Sequence, residues 1–433
     1  MGHRIVITTF GSLGDLNPYL GLAEGLRRHG HEPVIATSAF YRKRVEALGF
    51  EFHPVRPDVD PTDQELMTRI MDPLRGTEII INELLMPYLR DSYEDLSAAV
   101  RGADALITHP ITFAGPIVAA ETRLPWISTV LAPISFFSAH ELPVLPPAPW
   151  LRHVSRLGAW AGKLVTGMVR RMTRSWSEPV YRLRRELGLP RGGDPLYEGQ
   201  HSPELVLALF SRLLARPQPD WPDKVVITGP IFPSAVGITA GPGGSGTPGS
   251  SGMSDGLRPF LDAGPPPAVI TLGSAAVYAA GDFYRESLEA VQHLGIRAVL
   301  LTGPKDGHGI DGGLPEEVIA VDFAAHSEVF PRASVIVHQG GIGTTSQALR
   351  AGRPNLAVPF SHDQFDNAFR LRRLGMSETL YRGRYRADRA EAVLRDLLGD
   401  PKYRARAQEA ARTVRAEDGL GTACQAIEAH LSG

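Results

Sequence analysis

The sequence predicts an α/β protein made of two doubly wound, Rossmann-like domains that face each other across a cleft. Three observations carry that expectation. Short runs rich in Val, Ile and Leu recur through the chain and alternate with segments of helical periodicity, as parallel strands covered on both faces require. The 433 residues exceed what a single hydrophobic core usually serves. Between the halves lies a Gly/Ser/Pro tract, residues 237–256, which carries too little apolar surface to order itself and reads as a linker.

These features divide the chain into a first domain at 1–235, a linker at 236–258, a second domain at 259–412, and a last stretch, 413–433, that either returns to the first domain or caps the second sheet. Strands are expected at 4–9, 33–37, 104–108, 126–131, 205–210 and 224–228 in the first half. In the second half they are expected at 267–272, 297–302, 317–321, 334–337 and 355–359.

The first strand opens into TFGSLGDLNPYLGLAEGLRRHGHEP. Gly11, Ser12 and Gly14 form a tight turn, and Leu16, Leu20, Ala23 and Leu26 trace one face of a helix. Asp15 falls at the helix start, with Pro18 in the first turn where proline is tolerated. An aspartate there is either an N-cap or a base aimed at a bound hydroxyl. His109, at the end of the 104–108 strand, is a partner for Asp15, a second candidate base or a structural histidine. Residues 64–100 are amphipathic and rich in Met, Leu and Ile, and residues 132–160 are aromatic and proline-rich. Apolar walls of this kind suit a hydrophobic small molecule, and Phe136 and His109 are assigned to its binding. The segment Arg152 to Arg174 interleaves basic and apolar residues; it reads as a helix face shielding that cleft, ahead of a peripheral contact with an anionic membrane.

In the second half a strand ending at Val337 runs into His338, then a turn with Gly340, Gly341 and Gly343, then Thr344 and Thr345 at the start of an amphipathic segment. Strand, glycine turn and helix N-terminus together bind anions, because unpaired first-turn N–H groups converge there and the helix dipole adds to them. Neither GxxxxGK[ST] nor an amino-terminal GxGxxG is present, so this is neither a P-loop nor a dinucleotide fingerprint. Ser274 and Thr302 stand at the ends of neighbouring strands, and Asp363-Gln364 follows the 355–359 strand. Ligands of open α/β sheets gather at such strand ends.

Composition narrows the rest. A formal net charge of −2 gives no reason to expect nucleic acid as a partner. The single cysteine, Cys424, excludes an intramolecular disulfide and a cysteine-based metal cluster. Neither a secretory signal nor an apolar run long enough to span a bilayer is visible, so a cytoplasmic enzyme is expected.

The stretch HQGGIGTTSQALRAGRPNLAVPFSHDQ, residues 338–364, resembles the donor-binding signature of family 1 glycosyltransferases, the UDP-glycosyltransferase-like enzymes of the GT-B fold. H-x-G-G-x-G-T-T, A-G-x-P and P-x-x-x-D-Q are all filled. The loop around Gly14 and Asp15 is similar to the family's G-x-x-G-[H/D]-x-x-P. The resemblance implies that the domain at 1–235 binds the acceptor and the domain at 259–412 a nucleotide-sugar co-substrate, dTDP- or UDP-linked, with no cofactor or metal. It places Phe323 against the base, with the Ala324 backbone reading its edge, although Phe stands where Trp is common and Ala325 where proline is. It assigns the diphosphate to the glycine turn, Thr344, Ser274 and His338 (as an N–H donor or an imidazolium), and sugar hydroxyls to Asp363 and Gln364. Ser346 occupies the position of a ribose-gripping glutamate, which favours a dTDP-sugar over a UDP-sugar. Asp15 is implied as general base in a single inverting displacement. The sugar is then a hexose, glucose or a deoxyhexose such as rhamnose, and the acceptor a flavonoid or other polyphenol, a polyketide or macrolide, or a sterol. A non-catalytic nucleotide-sugar sensor or helper and a GT-B epimerase are the alternatives.

Overall fold

The computed structural model describes residues 2–146, 148–232, 256–303, 310 and 313–432. Most of the linker expected at 236–258 lies outside the described residues. Seven parallel strands form the first sheet: β1 (Arg4–Thr8), β2 (Glu32–Thr37), β3 (Glu51–Pro54), β4 (Ala105–Thr108), β5 (Trp126–Val130), β6 (Leu205–Ala208) and β7 (Val225–Ile227), in the order β3-β2-β1-β4-β5-β6-β7. Six form the second: β8 (Ala268–Thr271), β9 (Ala298–Leu301), β10 (Val318–Val321), β11 (Val335–His338), β12 (Asn355–Ala357) and β13 (Ser377–Thr379), in the order β10-β9-β8-β11-β12-β13. Both sheets are doubly wound. Ile5, Val6 and Ile7 in one and Val335, Ile336 and Val337 in the other are fully buried, which is why these strands read as unbroken apolar runs.

Two strands, β3 and β13, were not expected, and each is the outer edge of its sheet. An edge strand buries only part of its side chains, so Glu51 and Glu378 interrupt the apolar signal.

Six helices position the site and join the halves: α1 (Leu13–Arg28), α2 (Ala159–Thr173), α3 (Ile342–Ala351), α4 (Gln364–Arg373), α5 (Pro401–Ala416) and α6 (Gly419–Ser432). Leu16, Leu20, Ala23 and Leu26 of α1 are all buried. This helix begins at Leu13, so Pro18 lies inside it and not in its first turn. Lacking an N–H, Pro18 cannot bond the carbonyl of Gly14, one helical step below it. Helix α5 packs on α3, and α6 lies along α1, where a Cβ on Gly25 would meet Leu420 at 2.5 Å and Cys424 is fully buried. Glu428 of α6 accepts from His29 at 2.9 Å and His31 at 3.2 Å. The final helix thus belongs spatially to the first sheet.

A second tie between the halves is ionic and buried. Arg370 of α4 bonds Asp366 at 2.7 Å and reaches Glu141 at 2.8 Å in the other half, while Asp366 accepts from the Val144 backbone at 3.0 Å. The carboxyl ends of both sheets face the cleft that these contacts span. No helix among the described residues is long and apolar enough to cross a membrane.

Candidate active site

In each sheet the strand order reverses beside the first strand of its half, and the crevice at such a switch point is where α/β folds bind ligands. In the first sheet the switch lies between β1 and β4, with Thr8 in register with Thr108. The turn carrying Asp15 leaves the first of these strands and His109 follows the second. In the second sheet it lies between β8 and β11, where His338 pairs with Thr271. Ser274 and the glycine turn leave those ends. The two switch points meet: a Cβ on Gly343 would stand 3.7 Å from Gly14, so the N-termini of α1 and α3 touch through glycines. A cavity of about 930 Å³ lies over that contact, bounded by Gly14, Asp15, Ser274, Gly341, Gly343, Thr344, Asp363 and Gln364.

Ser12 is the N-cap of α1. Its hydroxyl accepts from Gly14 N–H at 3.2 Å, and Asp15 Oδ2 reaches back to Ser12 N–H at 2.8 Å. Asp15 is therefore the closing residue of a capping box and not the N-cap itself. Its other oxygen, Oδ1, lies 3.7 Å from His109 Nε2. Because His109 Nδ1 accepts from Ile111 N–H at 3.3 Å, the ring proton sits on Nε2 and points at Asp15. His109 is 7 % exposed, lies edge-on to Tyr19 with ring centroids 6.0 Å apart, and lines the cavity beside Asp15.

Helix α3 starts differently. Its N-cap is Gly341, with no side-chain cap. The amide of Ile342 donates to Asp363 Oδ2 at 3.2 Å. The amides of Gly343 and Thr344 have no partner within the helix, by the geometry of a first turn. Gly340 has φ +87°, and a Cβ there would lie 2.9 Å from the Gln364 carbonyl, so the turn needs glycine. His338 is fully buried beneath the turn and not on the cavity wall. Its Nδ1 accepts from Gly340 N–H at 3.1 Å, which leaves the proton on Nε2, where no partner is found among the described residues. Burial, with His326 nearby, pushes its pKa down to about 3, so the ring is neutral. Of the two forms expected for His338, the neutral ring with an N–H to donate fits this burial better than the imidazolium.

Asp363 precedes α4 yet does not cap it. Its carboxylate turns away, accepting from Asn367 Nδ2 at 2.6 Å as well as from Ile342. Burial and the facing charge of Asp15 push its pKa up to about 7. Gln364 commits its side-chain oxygen to the backbone N–H groups of Phe360 at 2.8 Å and Ser361 at 3.2 Å, which leaves its NH2 group for a ligand.

Thr302, Phe323 and Ala324 lie at the ends of β9 and β10 and do not line the cavity. Residues 304–309, next to them, lie outside the described residues. Phe136 is corrected outright. It is buried in a cluster with Trp221, ring centroids 4.0 Å apart, Phe210 and His201. The turn Pro133–Phe136 ends at Phe137 with φ +47°, and that one residue faces the cavity instead.

Gln339, His362 and Asn367 also belong to the site, and no sequence motif pointed to them. Gln339 lines the cavity and donates to Thr344 Oγ1 at 3.4 Å, with its own oxygen unpartnered among the described residues. His362, held at φ +55°, also lines the cavity and approaches Thr77 of the other half at 3.3 Å. Asn367 donates to the Gly340 carbonyl at 2.9 Å. Its place one helical turn after Asp363 is the only hint the sequence offers. The apolar wall runs from Met67, Ile70 and Leu84 across to Phe113, Ile134 and Met172. Ile79–Leu85 is a π-helix, whose wider turn sets Ile80, Ile81 and Leu84 into this wall. Among the described residues no group of three or more His, Cys, Asp or Glu is arranged to hold a metal ion.

Comparison with known proteins gives the same reading. Residues 287–421 match the family model "Erythromycin biosynthesis protein CIII-like, C-terminal domain", and residues 5–87 match "Glycosyltransferase family 28 N-terminal domain". The O-mycaminosyltylonolide 6-deoxyallosyltransferase of Streptomyces fradiae is 29% identical over 436 residues, covering 98% of this chain and 97% of that protein. The chain is a glycosyltransferase of the GT-B fold. Sterol 3-beta-glucosyltransferase of Cryptococcus neoformans is 30% identical over 98% of this glycosyltransferase, which spans only 27% of that longer protein's length. The fold is shared with the glycotransferase of kitacinnamycin (TM-score 0.72, 20% identity, 100% of both chains). It is also shared with VinC in complex with DTDP (TM-score 0.67, 22% identity, 99% of this chain and 100% of that one).

Proposed function

We propose that this glycosyltransferase moves a hexosyl or deoxyhexosyl group from a dTDP-sugar, or less favourably a UDP-sugar, to a hydroxyl of a hydrophobic aglycone of the macrolide, polyketide or sterol kind. The observation that carries the proposal is the meeting of Asp15 and the open N-terminus of α3 at one end of a large apolar cavity. The acceptor hydroxyl loses its proton to Asp15 Oδ1 as its oxygen bonds to the anomeric carbon. The bond from that carbon to the diphosphate oxygen breaks, and the nucleoside diphosphate leaves with the electron pair. Attack from the face opposite the leaving group inverts the centre. The amides of Gly343 and Thr344 and the Thr344 and Ser274 hydroxyls take up the growing charge, which a pre-organised site does without reorganisation. His109 keeps Asp15 Oδ1 turned into the cleft. Asp363, whose pKa burial raises to about 7, exchanges hydrogen bonds with sugar hydroxyls.

A thymidine-linked donor is supported by Ser346 in place of a ribose-binding carboxylate and by the thymidine diphosphate complexes of VinC and the spinosyn rhamnosyltransferase SpnG. An epimerase works on the donor alone and leaves the apolar cavity without a task; a sensor leaves the Asp15–His109 pair without one. The test is a panel of dTDP- and UDP-sugars crossed with macrolide, polyphenol and sterol acceptors, read by mass spectrometry. Transfer that is lost in Asp15→Asn while dTDP still binds is expected. Donor binding with no product on any acceptor contradicts the proposal.

A further inference from the structure

Six of the ten exposed large hydrophobic residues among those described fall in one short segment: Trp150, Leu157, Trp160, Leu164, Met168 and Met172. Scattered exposed apolar residues need no explanation, but a contiguous patch marks a contact surface. On α2 the last four recur every fourth residue and so form one stripe, with exposures of 63% at Trp160, 66% at Leu164, 51% at Met168 and 73% at Met172. The helix cannot roll to hide them. Its opposite face, Gly162 and Thr166, is buried, and a Cβ on Gly162 would overlap the Ala139 carbonyl.

Charge says what covers the stripe. From residue 149 to residue 174 there is no Asp or Glu, against Arg152, Arg156, Lys163, Arg170, Arg171 and Arg174, in a chain whose net charge is −2. Arg170 is tied to Glu198 at 2.8 Å, whereas Lys163, Arg171 and Arg174 are exposed and make no ion pair among the described residues. Two-fold pairing with a second copy would set this cationic segment against itself. An anionic bilayer instead meets both halves of the pattern: headgroups for the cations, the acyl boundary for Trp160 and Leu164. We infer that α2 and the turn before it dock this glycosyltransferase on an anionic lipid surface. Met168, Met172 and Trp150 also belong to the cavity wall, so the docked face is the cavity mouth. An apolar acceptor then passes from bilayer to cleft without crossing water; this last step alone rests on the cavity being the acceptor site.

The test is sedimentation of the full chain with vesicles of phosphatidylcholine alone or with phosphatidylglycerol, at low and high salt, without turnover. Wild type is expected to pellet with phosphatidylglycerol vesicles and to be released by salt. Lys163→Glu/Arg171→Glu is expected to lower the partition coefficient at least about tenfold. Trp160→Glu/Leu164→Glu is expected to do the same with the salt response reduced. None of these four residues lines the cavity, so dTDP binding stays unchanged and shows each variant is folded. Equal partition of wild type into neutral and anionic vesicles overturns the inference. So does a dimer in solution that Trp160→Glu/Leu164→Glu dissolves while vesicle binding is absent. Vesicle binding without transfer activity would count against the proposed reaction and leave the docking surface standing.

Discussion

The two halves present the same local device, a strand running through a glycine turn into a helix N-terminus, and use it in opposite ways. At α1 the first-turn donors are satisfied from within, by the Ser12 hydroxyl and the returning Asp15 carboxylate. At α3 the cap is a bare glycine, and the one engaged amide borrows its acceptor from Asp363, 21 residues along the chain. A helix end closed by its own side chains holds a carboxylate in place; one left open collects an external anion. In the proposed reaction, the division between base and diphosphate site follows from which end is capped.

The largest expected effect breaks the closed end. Asp15→Asn should lower kcat by about 10²–10⁴-fold, the range for a positioned base, with the dTDP dissociation constant nearly unchanged. Steady-state kinetics with calorimetry of dTDP binding checks both. At the open end, Gly340→Ala forces a left-handed residue and a 2.9 Å approach to the Gln364 carbonyl. It should cost about 1–2 kcal/mol from backbone strain alone and should weaken dTDP binding, the reverse of the Asp15 pattern.

Phe136 and Phe137 sharpen the contrast between wall and core. Phe136→Ala should destabilise the fold by about 3–5 kcal/mol in denaturant titration, with little change in acceptor KM. Phe137→Ala should raise acceptor KM and leave stability close to wild type.

The borrowed carboxylate gives a pH signature. With Asp363 pushed up to about 7, the folded protein retains a proton that the unfolded chain has already released. Stability therefore falls as pH rises from the ordinary carboxylate range through about 7, by a few kcal/mol in order of magnitude. Asp363→Asn removes that slope, so its Tm should exceed that of wild type at about pH 8 and approach it at about pH 4. The smallest effect belongs to Ser12→Ala, about 1 kcal/mol lost from the α1 cap, read as a modest fall in Tm.

Much of the fold was legible because parallel strands buried on both faces leave continuous apolar runs, and the glycine turn was legible because backbone approach admits few substitutes. The edge strands β3 and β13 were not, since half-exposed strands carry charges such as Glu51 and Glu378. The site was legible where a motif fixes a backbone shape, as at Gly340 and Gly341. It was not where one residue of register decides, as between Phe136 and Phe137, or where a side chain serves another, as Asn367 serves Asp363 and Gly340. Asp15 is the instructive mixture: the sequence placed it at the helix start, but only the geometry separates the oxygen that closes the cap from the oxygen that faces His109.

The most direct measurement is a crystal structure with dTDP bound. Diphosphate oxygens are expected within hydrogen-bond distance of the Gly343 and Thr344 amides, with Asp15 Oδ1 still turned toward His109. A diphosphate seated on the Ser12–Gly14 turn, with the first turn of α3 untouched, would contradict this expectation.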